Sequence, residues 1–85
     1  MVTLLYFASL REALDCAREQ VPLPPGNTAT VAALLEALRS REGRWSDAFA
    51  HGRQWRVAVN QQMADLATPL KPGDEVAFFP PVTGG

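Results

Sequence analysis

The sequence predicts an α+β fold in a single domain spanning residues 1–85, and three observations carry that reading. Two strand-like runs, residues 2–8 and Glu75–Phe79, stand at opposite ends of the chain. Between them Val31, Leu34, Leu35 and Leu38 recur at the i, i+3, i+4, i+7 spacing of a buried helical stripe. The 85 residues, 47% of them hydrophobic, make one small core and leave no room for a deep cleft. The expected order is strand, helix, strand, helix, strand, strand, with the helices too few to cover both faces of the sheet.

The elements follow from local chemistry. Residues 2–8 are rich in β-branched, aromatic and leucine side chains and form the first strand. Ser9 with Glu12 three residues later has the capping-box pattern, so a helix is expected from Ser9, with Leu10, Ala13, Leu14 and Ala17 on one face. Glu19–Leu23 reads as a short second strand; Pro22, Pro24, Pro25 and Gly26 confine it to an edge and open a loop. Thr30 is a good N-cap for the main helix, which Arg39, Arg41 and Gly43 close. Trp45, Ala48 and Phe49 allow one further helical turn ending near Gly52, or an irregular loop packed on its own aromatics. Trp55, Val57 and Val59 alternate with Arg56, Ala58 and Asn60 as in a half-buried strand, and Asn60-Gln61-Gln62 offers a turn into Met63 and Ala64. Lys71-Pro72-Gly73-Asp74 is a type II turn leading into Glu75–Phe79. In that last strand Val76 and Phe78 face one way, Ala77 and Phe79 the other. With one sheet face uncovered, Phe78 or Phe79 should stay partly exposed, joined by Phe7 if the end strands are neighbours. An aromatic patch at that place points to a protein interface.

Several functions are disfavoured. Eight basic and nine acidic residues leave a net charge of −1, so no field draws nucleic acid or an anionic membrane. The start lacks a basic n-region and a cleavage site, and no apolar run approaches spanning length, so a cytoplasmic place is expected. Cys16 falls in a helical pattern as a small apolar residue, and with His51 isolated no metal-ligand spacing exists. No nucleotide-binding glycine loop or nucleophile elbow occurs, and the carboxylates are scattered over turns and helix faces. The group left with chemistry to offer is the terminal carboxylate on Gly84-Gly85. Two glycines pass a channel too narrow for any side chain. Pro80-Pro81 cannot continue a central strand and holds the following residues off the sheet, so 80–85 is expected to be a stiff stem with a flexible tip. A carboxylate is a poor acyl donor, and this chain lacks the means to activate it. A partner that uses ATP is implied.

The run Gly73-Asp74-Glu75-Val76 with Phe79-Pro80-Pro81-Val82-Thr83-Gly84-Gly85, together with Tyr6-Phe7-Ala8, Arg11-Glu12 and Ala58-Val59-Asn60-Gln61, resembles the MoaD family, the small subunits of molybdopterin synthase. The likeness runs the whole length and is loose only over residues 19–55. It implies a ubiquitin-like β-grasp fold, a mixed sheet with helices on one face and its first and last strands parallel at the centre. It also implies that an E1-like enzyme adenylates Gly85 with ATP and Mg, and that a sulfurtransferase then supplies the sulfur of a C-terminal thiocarboxylate. That thiocarboxylate would enter the large synthase subunit, in a heterotetramer, and give its sulfur to a cyclic pyranopterin monophosphate. On this resemblance Gly85 carries sulfur, Gly84 passes the channel, Thr83, Val82, Pro81 and Pro80 position the tail, and Phe79, Phe7 and Met63 form the partner-facing patch. By alternation alone Phe7 and Met63 fit the core equally well. No cofactor is expected on this chain itself, and the catalytic residues are expected on the large subunit. The alternatives are a sulfur carrier for thiamine thiazole synthesis, a ubiquitin-like modifier, and a non-catalytic β-grasp interaction module.

Overall fold

The computed structural model describes residues 1–23, 29–50 and 55–80. Strand β1 (Val2–Tyr6) buries alternate side chains, Val2, Leu4 and Tyr6, as a half-covered strand must. It pairs in parallel with β5 (Glu75–Phe79), Leu4 opposite Val76 and Tyr6 opposite Phe78. Thr3 N–H to Asp74 O (2.9 Å) and Phe7 N–H to Phe78 O (3.1 Å) extend the ladder at both ends. Strand β2 (Arg18–Val21) is antiparallel to β1 at one edge. On the other side β3 (Arg56–Val59) is antiparallel to β5, and β4 (Gln62–Met63) closes the far edge, giving the order β2-β1-β5-β3-β4. The expected mixed sheet with its end strands parallel at the centre is the one observed.

The helices cover a single face. Helix α1 (Ala8–Leu14) buries Leu10 and Leu14, α2 (Val31–Arg39) buries Val31, Leu34 and Leu38, and the one-turn α3 (Arg44–Ala48) buries Ala48. All join one cluster with Val2, Leu4, Tyr6, Val57, Val76 and Phe78 from the sheet. At its centre Phe49 meets Phe78 edge-on at 5.4 Å, while Tyr6 stacks on Phe78 at 6.3 Å. Thr30 caps α2 as expected, its Oγ1 accepting from Ala33 N–H at 3.2 Å. Two further free N–H groups of that first turn, on Val31 and Ala32, donate to the carbonyls of Thr68 and Leu66, which ties the loop before β5 to the helix.

Three expectations are corrected. Ser9 does not cap α1: it lies exposed inside the helix, and the N-cap is Phe7, whose carbonyl accepts from Leu10 and Arg11. The first strand, expected over residues 2–8, ends at Tyr6 with its last ladder hydrogen bond at Phe7, so the helix starts earlier than the capping-box pattern indicates. Asp15, left-handed at φ 51°, then ends α1 after Leu14, so Cys16 and Ala17 fall outside the helix and Ala13 faces solvent. Cys16 still packs, half-buried, against the core. The second strand begins at Arg18 and ends at Val21, before Pro22. The turn expected to end near Gly52 is α3; residues 51–54, with His51, lie outside the described residues. Gly73 at φ 89° and the Asp74 N–H to Lys71 O bond agree with a type II turn. No helix among the described residues is long and apolar enough to cross a membrane.

A polar network locks β1 and β2 to Arg41, which follows α2, and to Trp45 of α3. The buried Tyr6 hydroxyl donates to Glu19 Oε2 (2.7 Å) and accepts from Trp45 Nε1–H (3.3 Å). Arg41 donates to the same Glu19 oxygen at 2.8 Å and lies 5.1 Å over the Trp45 ring. Burial pushes the Tyr6 phenol well above its ordinary value. For Glu19, desolvation pulls upward, but the hydrogen bonds from Arg41 and Tyr6 and the Arg41 charge outweigh it and hold the carboxyl below its ordinary value of 4.5. Tyr6→Phe removes the acceptor of Trp45 and a donor to Glu19, and should lower the unfolding free energy by about 1–2 kcal/mol in urea titrations. Because the folded-state pKa of Glu19 is depressed, its contribution is present above pH 4.5 and is lost as pH falls through the lower folded value. Glu19→Gln should therefore be less stable than the parent at neutral pH, with the gap closing under acid, measured by denaturation at about pH 6 and pH 3.

Candidate docking face and tail exit

The period-two pleat that buries Leu4, Tyr6, Val57, Val76 and Phe78 sends their neighbours to the opposite, helix-free side of the sheet. Strand register then sets those neighbours in rows. One row crosses all five strands: Arg18, Leu5, Ala77, Ala58, Met63. The next, toward the tail, places Phe79 between Phe7 and Arg56. Phe7 is 46% exposed and Met63 61%, while Phe79 is half-buried. The exposure removes the ambiguity left by alternation: neither Phe7 nor Met63 belongs to the core. Phe78 is the buried aromatic and Phe79 the partly exposed one.

The face has a definite relief. Ala58 and Ala77 are small, so the middle of the long row is a shallow trough between Leu5 and Met63. Phe7 and Phe79 stand at its tail-side rim, and β5 ends there at Phe79, followed by the half-buried Pro80. Beside the rim a groove of about 330 Å³ is lined by Trp55, Arg56, Met63, Asp65 and Leu66, among others. Of the residues expected to make the site, Phe7 and Phe79 are brought side by side, and Met63 shares their face two strands from β5. Pro81, Val82, Thr83, Gly84 and Gly85 lie outside the described residues. The pattern reading missed Leu5, Ala58, Ala77 and Arg56 as parts of one surface. Alternation had put Arg56 and Ala58 on one side, but only the cross-strand register shows what stands next to them.

Chemically the centre of the face is apolar, with Leu5, Ala77, Ala58, Phe7 and Phe79 side by side. Among the described residues no group of three or more His, Cys, Asp or Glu is placed to hold a metal. The groups with shifted pKa values, Tyr6, Glu19 and Arg41, belong to the network on the helix side of the sheet. Arg41 is raised chiefly by its hydrogen bond to Glu19, with burial opposing, as in a structural ion pair.

Phe7 is unusual for an N-cap. Its backbone is extended, with φ −121° and ψ 156°, but its side chain gives the helix no hydrogen bond. The next residue, Ala8, turns at φ 53°, a left-handed conformation that costs a non-glycine residue about 1 kcal/mol. Both local preferences are set aside where the chain presents an aromatic ring to solvent. Phe7→Asp supplies the missing cap acceptor, and its unfolding free energy should stay within about 1 kcal/mol of the parent, where a core phenylalanine would lose about 3–5. Ala8→Gly should gain about 1 kcal/mol by relieving the positive φ. Chemical denaturation of the two variants checks both.

Comparison with known proteins agrees with this architecture. Residues 4–85 match the ThiS family. The chain is 40% identical over 85 residues to the molybdopterin synthase sulfur carrier subunit of Escherichia coli, covering all of both chains. It superposes on small archaeal modifier protein 1 of Haloferax volcanii with a TM-score of 0.74, at 29% identity over 95% of this chain and 97% of that one. It also superposes, with a TM-score of 0.65 and 27% identity over 99% and 97% of the two chains, on a chain from the complex of subunits 1 and 2 of the molybdopterin-converting factor of Helicobacter pylori. A β-grasp sheet with one open face and 39–42% identity over the full length to sulfur carrier subunits lead to one assignment: this chain belongs to the ThiS family and, within it, to the molybdopterin synthase small subunits.

Proposed function

We propose that the protein is the sulfur carrier subunit of molybdopterin synthase, working on molybdenum cofactor biosynthesis in the cytoplasm. The observation that supports this most is the placement of the open apolar face: Phe7 and Phe79 rim it where β5 hands over to the Pro80–Gly85 tail. A partner seated on that face lies beside the point where β5 ends. The full-length identity to the E. coli sulfur carrier subunit supports the pathway.

In this proposal an E1-like enzyme docks first and joins the Gly85 carboxylate to AMP from MgATP, releasing pyrophosphate. A sulfurtransferase then supplies sulfur as a persulfide: its outer sulfur forms a C–S bond to the acyl carbon as AMP leaves, and a thiol reductant cleaves the resulting S–S bond to leave the thiocarboxylate and the donor's thiol, the reductant ending as a disulfide. Sulfur is softer and more nucleophilic than oxygen, which suits it for attack on the pterin. Next the large synthase subunit occupies the same face, with Met63 and Phe79 against it and the tail inserted. Two such deliveries build one dithiolene, and each ends by hydrolysis back to the Gly85 carboxylate. The chain's own part is to position: Pro80, Pro81, Val82 and Thr83 set the tail's direction, Gly84 gives it a narrow profile. Two partners using one face in turn explains why the face is apolar and has no acid/base set of its own.

A second reading is favoured by the likeness to the small archaeal modifier protein: the same adenylate would end as an isopeptide bond to lysines. Intact mass after incubation with the adenylating enzyme, ATP and a sulfur donor separates the two. The expected result is replacement of one oxygen by sulfur, lost when Gly85 is deleted. No mass change, with the enzyme shown active on a control carrier, would overturn the sulfur-carrier reading; higher-mass conjugates in place of the sulfur shift would establish the modifier. Gly84→Val should still fold but transfer sulfur at least tenfold more slowly, because the branched side chain cannot follow the glycine path.

A further inference from the structure

Within the tail-side row of the open face stands one charged side chain, Arg56, opposite Phe79 in the β3–β5 register. It is exposed, and it takes part in none of the ion pairs among the described residues, which join Arg39 to Glu36, Arg41 to Glu19 and Arg44 to Asp15. The acidic residue that shares its groove, Asp65, forms no ion pair with it; one Asp65 oxygen, Oδ1, accepts from Ala67 N–H (2.9 Å) and from the Thr68 hydroxyl (3.3 Å). Glu75 is on the same face but pairs with Thr3, two rows further from the tail.

We propose that Arg56 is a specificity residue that pairs with a carboxylate on the docked large synthase subunit. The inference rests on the docking face proposed above. A protein that covers Phe7 and Phe79 also strips water from the guanidinium beside them, and an unpaired guanidinium opposes docking by its desolvation. The covering surface must therefore bring a counter-charge to this spot, and the planar fork of arginine is suited to take a carboxylate with two parallel hydrogen bonds. The apolar centre of the face, Leu5, Ala77, Ala58, Phe7 and Phe79, permits docking in more than one rotation about the tail, and Arg18 lies at the far β2 end of the neighbouring row. One directional ion pair off the centre of the face selects a single rotation and rejects partners without the matching acid.

The test is binding of the purified large subunit to the full chain and its variants, followed by stopped flow at several salt concentrations. Arg56→Gln should weaken binding about tenfold and Arg56→Glu about a hundredfold, with faster dissociation from loss of the desolvated pair as well as slower association from loss of the charge. The salt dependence of association should flatten in Arg56→Gln, and the unfolding midpoint of both variants should match the parent. The same losses should appear in a chain lacking Gly84 and Gly85; their disappearance there would assign Arg56 to the chain's own tail and overturn the proposal. Phe7→Asp separates the layers. If Phe7→Asp fails to bind while both Arg56 variants bind as the parent does, the docking face stands and the role of Arg56 is overturned. If Phe7→Asp also binds normally, the docking face falls and the inference with it. Weaker binding by the Arg56 variants with unchanged salt dependence and a lowered unfolding midpoint would make Arg56 merely structural, again overturning the proposal.

Discussion

The parallel pairing of β1 with β5 is the contact on which the rest of the molecule depends. It joins the first strand to the last, so every other element must be accommodated in the crossover between them. Parallel strands have no tight turn available, and among the described residues the connection holds three helices and the other three strands. The pairing also does two things on opposite sides of one plane. Inward it stacks Tyr6 on Phe78 at the centre of the core; outward it sets Phe7 beside Phe79 on the open face. The same register that closes the core therefore builds the candidate site, and neither can shift by one residue without exchanging the two sets of side chains.

The parallel pairing of the end strands was implied by the family resemblance, while most single elements were legible because their signals were periodic. The stripe Val31, Leu34, Leu38 is a helix face under any fold, and Thr30 needed only its hydroxyl and its position to be read as a cap. Strand β4 was not read as a strand, since two residues carry no period; its place comes from the Asn60-Gln61 turn, where both residues take positive φ. The capping-box signal at Ser9 misled for a clear reason. Ser9 and Glu12 have the right spacing, but the ladder hydrogen bond of Phe7 to Phe78 decides where β1 stops, and tertiary pairing outranks a local motif.

The site was legible by halves. Alternation separates Phe78 from Phe79 but does not say which side of a sheet the helices will cover, and that alone decides whether Phe7 and Met63 are core or surface. Arg56 was invisible as a site residue for a related cause. A single arginine on an alternating strand is ordinary; its meaning comes from being across from Phe79 with no ion pair to the nearby carboxylate of Asp65. Such facts belong to pairs of residues far apart in the chain, and no window along the sequence contains them.

The central position of β5 has a mechanical side. The tail leaves from the end of a strand held by β1 on one flank and by β3 on the other. A pull on the tail along the strand loads both ladders in shear, so their hydrogen bonds resist together and do not open one at a time. An edge strand such as β4 would peel from its free side under the same load. Whatever follows Pro80 is thus attached where two ladders must fail together, and a load applied there is spread over the central strands of the sheet.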